Sequence, residues 1–318
     1  ASLSIMMQAL RLLGQQARWA LPMGVFVGIL WPQLAQTARP LLNVAVVGTL
    51  TAALLRLDWD RLGQAFTSPR LPVLLSSWQL LLSPLLVFVL VQALRFPDVY
   101  VLILVLQAAA PPIGSASAFA MFLGLEGSLA MVGAAWMTLL LPISLTAVVA
   151  WLLPQFGIEV DVLAFFLRVS LFALSPFALA WLIRRSLGVQ RLRQEDAALA
   201  GINVVMLVIF AVAVMDGVTA AFWDRPGEIG ALLLAACGAG VFWHLVGFAL
   251  FKRQGLQVAY TAALLNGNRN MGLMLAVTVG TAGEAFSLYV GIAQIPMYFA
   301  PLLLGPFVRR SFQDRRPS

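Results

Sequence analysis

Ten nearly continuous apolar stretches divide the chain, at roughly 19–36, 40–55, 71–94, 99–123, 128–153, 162–183, 197–221, 228–251, 256–280 and 284–308. Each approaches or exceeds the ~20 residues a helix needs to cross a bilayer. Their apolar residues run on without the period-two alternation of barrel strands, so the spans are predicted to be helices. Leu57–Arg70 differs, with Trp59, Leu62 and Phe66 recurring on one face, which predicts an interfacial helix. Ser2–Gln16 reads as a short amphipathic helix bearing Arg11 and lacking a cleavage motif, expected flat on the cytoplasmic interface. The longest polar loop, Arg184–Asp196, leaves no room for a soluble domain. The expected parts are an interfacial segment (1–18), a first five-helix repeat (19–153), a second and inverted one (154–308) and a basic tail (309–318).

Composition strengthens this reading. Hydrophobic residues make up 61% of the 318 and charged ones 10%. Soluble domains carry about 25% charged residues, so this chain uses lipid as part of its solvent. A net charge of +7 raises the question of a nucleic-acid partner, but no basic run interleaves with aromatics, and none is expected. The positive charge is instead sorted by loop. Arg11, Arg18, Arg56, Arg61, Arg70, Arg184, Arg185, Arg191, Arg193, Lys252, Arg253, Arg309, Arg310, Arg315 and Arg316 fall at the termini or after even-numbered spans. Only Arg39, Arg95 and Arg225 follow odd-numbered ones. The positive-inside rule then predicts a multi-pass protein of a bacterial-type inner membrane, with both termini cytoplasmic.

Two spans are interrupted. The fourth is broken by Ala110-Pro111-Pro112-Ile113-Gly114-Ser115-Ala116-Ser117, where the prolines remove backbone donors and the glycine permits a turn. The ninth is broken by Leu265-Asn266-Gly267-Asn268-Arg269-Asn270-Met271-Gly272. Irregular backbone at membrane depth must be satisfied by protein or by a watery cavity. Matching breaks in two inverted halves mark the binding region of many secondary transporters. A plain kink would not explain a charged Arg269 among three asparagines, since ionisable residues inside spans are functional by default.

At these residues the chain resembles the bile acid:sodium symporter superfamily. The likeness runs from about Leu21 to Arg310. It rests on Pro112–Ser117, on Trp78-Gln79-Leu80-Leu81-Leu82-Ser83-Pro84 and on Gly267-x-x-Asn270-x-Gly272-Leu273. The resemblance implies a panel of spans 1, 2, 6 and 7, and a core of spans 3–5 and 8–10 in which spans four and nine cross. The two breaks and the resemblance together point to a substrate or ion site formed by Gln79, Pro112, Gly114, Ser115, Ser117, Asn266, Asn268, Arg269 and Asn270. The departures are specific. The glutamate of sodium-coupled members falls on Leu265, a glutamine becomes Arg269, an asparagine becomes Ala118, and hydroxyl ligands fall on Met131 and Ala135. Gln79 and Ser117 leave at most one weak sodium site, and no other cofactor is implied. Arg269-Asn270 and Gln294-Ile295-Pro296 resemble the arsenite-efflux branch, but that branch's span-four cysteine is missing, which disfavours arsenite as cargo.

A guanidinium is planar, permanently charged and rich in donors, so Arg269 could either hold crossover carbonyls or bind a carboxylate. The expected activity is alternating-access transport of a small organic anion, with Arg269 in place of a sodium ion. The alternatives are a sodium-coupled symporter retaining one site and a membrane sensor that moves nothing. Asp216 and His244 are candidate proton relays, each with a plainer reading as an interfacial or helix-bonded residue. Enzymatic chemistry lacks its parts: His244 is the only histidine, Cys237 the only cysteine, and no hydrolase or metalloprotease motif is present.

Overall fold

A computed structural model describes residues 2–15 and 17–313. Arg315 and Arg316 of the expected tail, and the side chain of Arg18, lie outside the described residues. The described chain is helical and contains no strand. It opens with α1 (Ser2–Gln15) and α2 (Ala17–Leu30). Trp31 then leaves the helical region at φ −128°, ψ 74°, because the proline that follows crowds a helical backbone at the residue before it. The first apolar stretch, expected whole at 19–36, is divided there. Pro32 starts α3 (Pro32–Ala38), which runs through a 3-10 turn into α4 (Leu42–Arg56). The loop expected near Arg39 is therefore part of one rod, since Pro40 sits in a tight first turn where a missing N–H costs little.

The amphipathic segment becomes α5 (Trp59–Thr67), capped by the Asp58 carboxylate, which accepts from Asp60 N. Its Leu62 is buried and Phe66 lies edge-on to Trp136 at 4.6 Å. Next come α6 (Arg70–Ser76), a π-helical turn over Ser77–Leu82, and α7 (Ser83–Ala93). The first interrupted helix is α8 (Asp98–Ala109) with α9 (Ala116–Phe122). Then follow α10 (Gly127–Leu152), α11 (Val162–Leu187), α12 (Val189–Gln194), α13 (Asp196–Ala213), α14 (Val218–Asp224) and α15 (Pro226–Phe251). The second interrupted helix is α16 (Leu256–Gly267) with α17 (Met271–Thr278), and α18 (Gly283–Gln313) closes the bundle.

Seven helices among the described residues are long and apolar enough to cross a bilayer: Pro32–Arg56, Arg70–Ala93, Gly127–Phe156, Val162–Leu187, Asp196–Asp224, Pro226–Gln254 and Gly283–Phe312. Trp19–Leu30 and Asp98–Ala109 are shorter apolar helices. The chain is a multi-pass membrane protein.

Packing sorts the helices into two groups. In one, α13 lies against α1, α2, α3 and α4. In the other, α15 packs on α16 and α18, α7 on α8, and α10 on α9. Small residues set the closeness of the first group, as is usual where lipid tails provide no hydrophobic drive between helices. A Cβ on Gly14 would stand 3.0 Å from the Ala197 carbonyl, and one on Gly201 would collide with the carbonyl of Leu10. Backbone cannot yield as a side-chain tip can. Gly201→Ala is therefore expected to push α1 off α13 at a cost of about 1–3 kcal/mol. Thermal unfolding in detergent would read this as a clearly lower melting temperature, whereas Gly230→Ala, with nothing near its added carbon, should not move it.

The ends of the bundle are tied by ion pairs. Arg11–Glu195 (2.8 Å), Arg56–Asp196 (2.8 Å) and Arg61–Glu126 (3.1 Å) join loops that the charge pattern assigns to one side. Arg39–Asp216 (2.7 Å) ties the 3-10 turn of the α3–α4 rod to the turn between α13 and α14, on the side the charge pattern assigns as the other.

Candidate functional site

The two helix breaks lie against each other. Ala110 is extended (φ −69°, ψ 141°) because Pro111 follows it, and this ends α8. Gly114 adopts no positive φ, and a Cβ there would make only ordinary contact with Leu50 and Ala53, so the prolines rather than the glycine make this break. In the other break Asn268 (φ −108°, ψ 80°) ends α16, and Asn270 caps α17 by accepting from Leu273 N at 3.0 Å. Between them the stretches run antiparallel, with Pro112 opposite Arg269. Ile113 N donates to Asn268 O at 2.8 Å, and Asn270 N donates to Pro111 O at 2.7 Å. Each break thus supplies partners for polar backbone that lipid could not satisfy.

Arg269 fills the crossing and is 1% exposed. Its Nε donates to Asn266 O at 2.7 Å. Its Nη1 donates to Ala108 O at 2.6 Å, to Ala110 O at 3.1 Å and, more weakly, to Gln79 O at 3.3 Å. Nη2 reaches Ser83 Oγ at 3.4 Å, and the guanidinium carbon stands 4.7 Å from the centre of the Trp243 ring. Among the described residues no carboxylate pairs with it. The negative charge comes from backbone: Ala108 and Ala110 end α8, and Asn266 ends α16. Each helix C-terminus is worth roughly −0.5 of a charge, so two of them balance one guanidinium. The Gln79 carbonyl has no backbone partner because in the π-helical turn its i+5 residue is Pro84, which carries no N–H; the Ser83 hydroxyl at 2.7 Å shares it with the arginine.

The other predicted site residues gather around this arginine, mostly in backbone-supporting roles. Asn266 donates to Ala262 O at 2.8 Å and accepts from Trp78 Nε1 at 2.8 Å. Asn268 donates to Leu264 O at 3.0 Å and contacts His244 Nε2 at 3.3 Å. The Gln79 amide donates to Leu265 O at 3.0 Å. Gln79 Oε1, Ser115 Oγ and Asn268 Oδ1 are buried and take no partner among the described residues. Ser115 and Ser117 are buried at the start of α9. Leu265 is fully buried, and a carbon added at Gly133 would lie 3.0 Å from its side chain.

His244 and Asp216 are not brought together. Asp216 pairs with Arg39 and faces one cavity, while His244 donates from Nδ1 to Gly240 O at 2.7 Å and faces another.

The two helix groups meet along a seam with a cavity at each end. One, of about 540 Å³, is lined by Arg39, Asn43, Asp216, Thr278 and Phe286. The other, of about 410 Å³, is lined by Leu21, Arg56, Phe119, Phe122 and Tyr298. Between them Phe210 and Val46 lie against Gly272, where an added carbon would stand 2.7 Å from the Phe210 ring. Tyr298 is buried and its hydroxyl takes no partner among the described residues. Sequence reasoning missed Trp243, Ser83, Arg56 and Tyr298. Trp243 carried one usable signal: it lies mid-span, away from the interfacial belts where tryptophans collect.

The family model described as the sodium bile acid symporter family matches residues 43–220. The match takes in the first break, the π-helical turn and all of α13, and stops before the second break. No individual curated protein matches the chain.

Proposed function

The chain belongs to the sodium bile acid symporter family, and from that premise we propose that it is a secondary transporter that moves a small organic anion by alternating access. The family's members are transporters rather than enzymes. The observation that carries the proposal is the backbone pairing of the two breaks, Ile113 N to Asn268 O and Asn270 N to Pro111 O, beside a seam with a cavity at each end. The seven long helices, α2 and the two interrupted helices make ten spans. The breaks then fall in the fourth span of each five-span half, as an inverted repeat requires. The group around α13 is read as the panel, and the group holding both breaks as the core. Rocking of one on the other would move the Phe210–Gly272 contact and expose the seam to each side in turn.

Arg269 is read as a tethered cation. Its acceptors are oxygen atoms of three segments, the kind of shell a sodium ion would take, and its charge is already balanced by two helix ends. Leu265 offers no carboxylate to attract a free ion. The substrate contact is assigned instead to the seam, where the Tyr298 hydroxyl, without a partner among the described residues, supplies a donor, and where Arg56 would meet an organic anion by exchanging its bidentate pair with Asp196. The conventional sodium sites are lost in this reading, and transport proceeds by exchange or with another driving ion.

Flux into proteoliposomes tests the proposal, using a panel of labelled small carboxylates and sulfonates without a sodium gradient. Saturable uptake above protein-free vesicles is expected for at least one class. Gly272→Val should abolish it by wedging Phe210 and Val46. Anions that raise the melting temperature but never cross would turn the reading to a sensor.

A further inference from the structure

A third cavity lies outside the seam, between α15 and α18. It holds about 610 Å³, within the range of small-molecule sites. Its rim includes Val241, Leu245, Leu303 and Phe307, all more than 60% exposed on the outer surface of a membrane bundle, so its mouth opens onto lipid. Its inner end reaches the crossing itself, at Gly267, Arg269 and Gln107. Gln107 is 5% exposed and its Oε1 accepts from the Tyr289 hydroxyl at 2.7 Å. Among the described residues no hydrogen bond occupies its Nε2. Of the other polar groups there, His244 donates to Gly240 O and contacts Asn268, Arg269 serves the helix ends, and the free thiol of Cys237 is only a weak donor.

We propose that this cavity binds a neutral, lipid-soluble molecule with one hydrogen-bond acceptor at its leading end, entering sideways from the bilayer and docking that acceptor on Gln107 Nε2. The chemistry follows from the two ends of the site. Hydrocarbon at the mouth excludes a charged ligand, whose transfer from water is costly. The free amide donor at the inner end selects an acceptor such as a ketone oxygen over a plain alkane. Because its floor is the crossover backbone, an occupant would also bear on the segment that has to move during transport. This site is separate from the seam and does not depend on what the seam carries.

A photoreactive probe tests it: methyl nonyl ketone with a diazirine near its tail, applied to the full chain in lipid nanodiscs. Labelling should be saturable and concentrated on the rim of α15 and α18. Unlabelled methyl nonyl ketone should compete at lower concentration than n-undecane or decanoate. Gln107→Leu should weaken saturable labelling by about tenfold, the scale of one lost hydrogen bond. Because that change also strips Tyr289 of a partner, Val241→Trp serves as a second variant. It fills the mouth from an exposed position and should remove labelling without lowering the melting temperature. Labelling spread over every lipid-facing helix, or equal competition by the ketone and the alkane, overturns the proposal.

Discussion

Arg269→Gln should cost about 3–5 kcal/mol of stability, the range seen when one partner of a buried charged cluster is removed. At roughly 2–4 °C per kcal/mol for large domains, the melting temperature should fall by ~10 °C. The size of the effect follows from what is left behind. Ala110 O and Asn266 O receive their short bonds from this one side chain, Ala108 O would keep only the Ser83 hydroxyl at 2.9 Å, and the site is buried, Arg269 being 1% exposed. Two helix ends of like sign would then face each other across the crossing without a counter-charge. Arg269→Lys should recover less than half of the loss, because an ammonium cannot present the planar fork that serves acceptors on three segments. Differential scanning of the purified protein checks this. A glutamine variant melting within a degree or two of the parent would remove the role given to the guanidinium.

The second expectation concerns sodium. Replacing KCl by NaCl at constant ionic strength should leave the parent's melting temperature unchanged, because its crossover oxygens are already held. The double variant Leu265→Glu with Arg269→Gln should behave differently. It returns a carboxylate to a fully buried position, frees the carbonyls of Gln79, Ala108 and Ala110, and leaves the unpartnered Gln79 Oε1 nearby. Sodium should then raise its melting temperature saturably. The gain reaches about 2.7 kcal/mol at a hundredfold excess over the dissociation constant. Leu265→Glu alone should respond little, since the new carboxylate would pair with Arg269. A saturable sodium response in the parent would instead mean that an ion site survives beside the arginine.

The sequence by itself determined the class of protein, the places where two helices break and the charged residue between them. These are local properties. Continuous apolar runs leave a chain in lipid no option but helices, Ala110 before Pro111 must leave the helical region, and an arginine at that depth needs acceptors. The same local logic misplaced the boundary near Trp31, because one proline ended a helix and the next, at Pro40, did not.

Only the tertiary structure decided what the residues at the breaks do. Asn266, Asn268 and Asn270 look like a ligand set when read in order. In the fold, Asn266 and Asn268 donate back to their own helix and Asn270 caps the next. Arg269 could have faced a substrate or the backbone, and that choice depends on Ala108 and Gln79, 161 and 190 residues away in sequence. Their carbonyls carry no side-chain signature of their own, and Pro84 strips Gln79 O of its backbone donor only because the helix there takes the π spacing. A sequence records which groups must find partners; the long-range packing of two broken helices determines which partners they find.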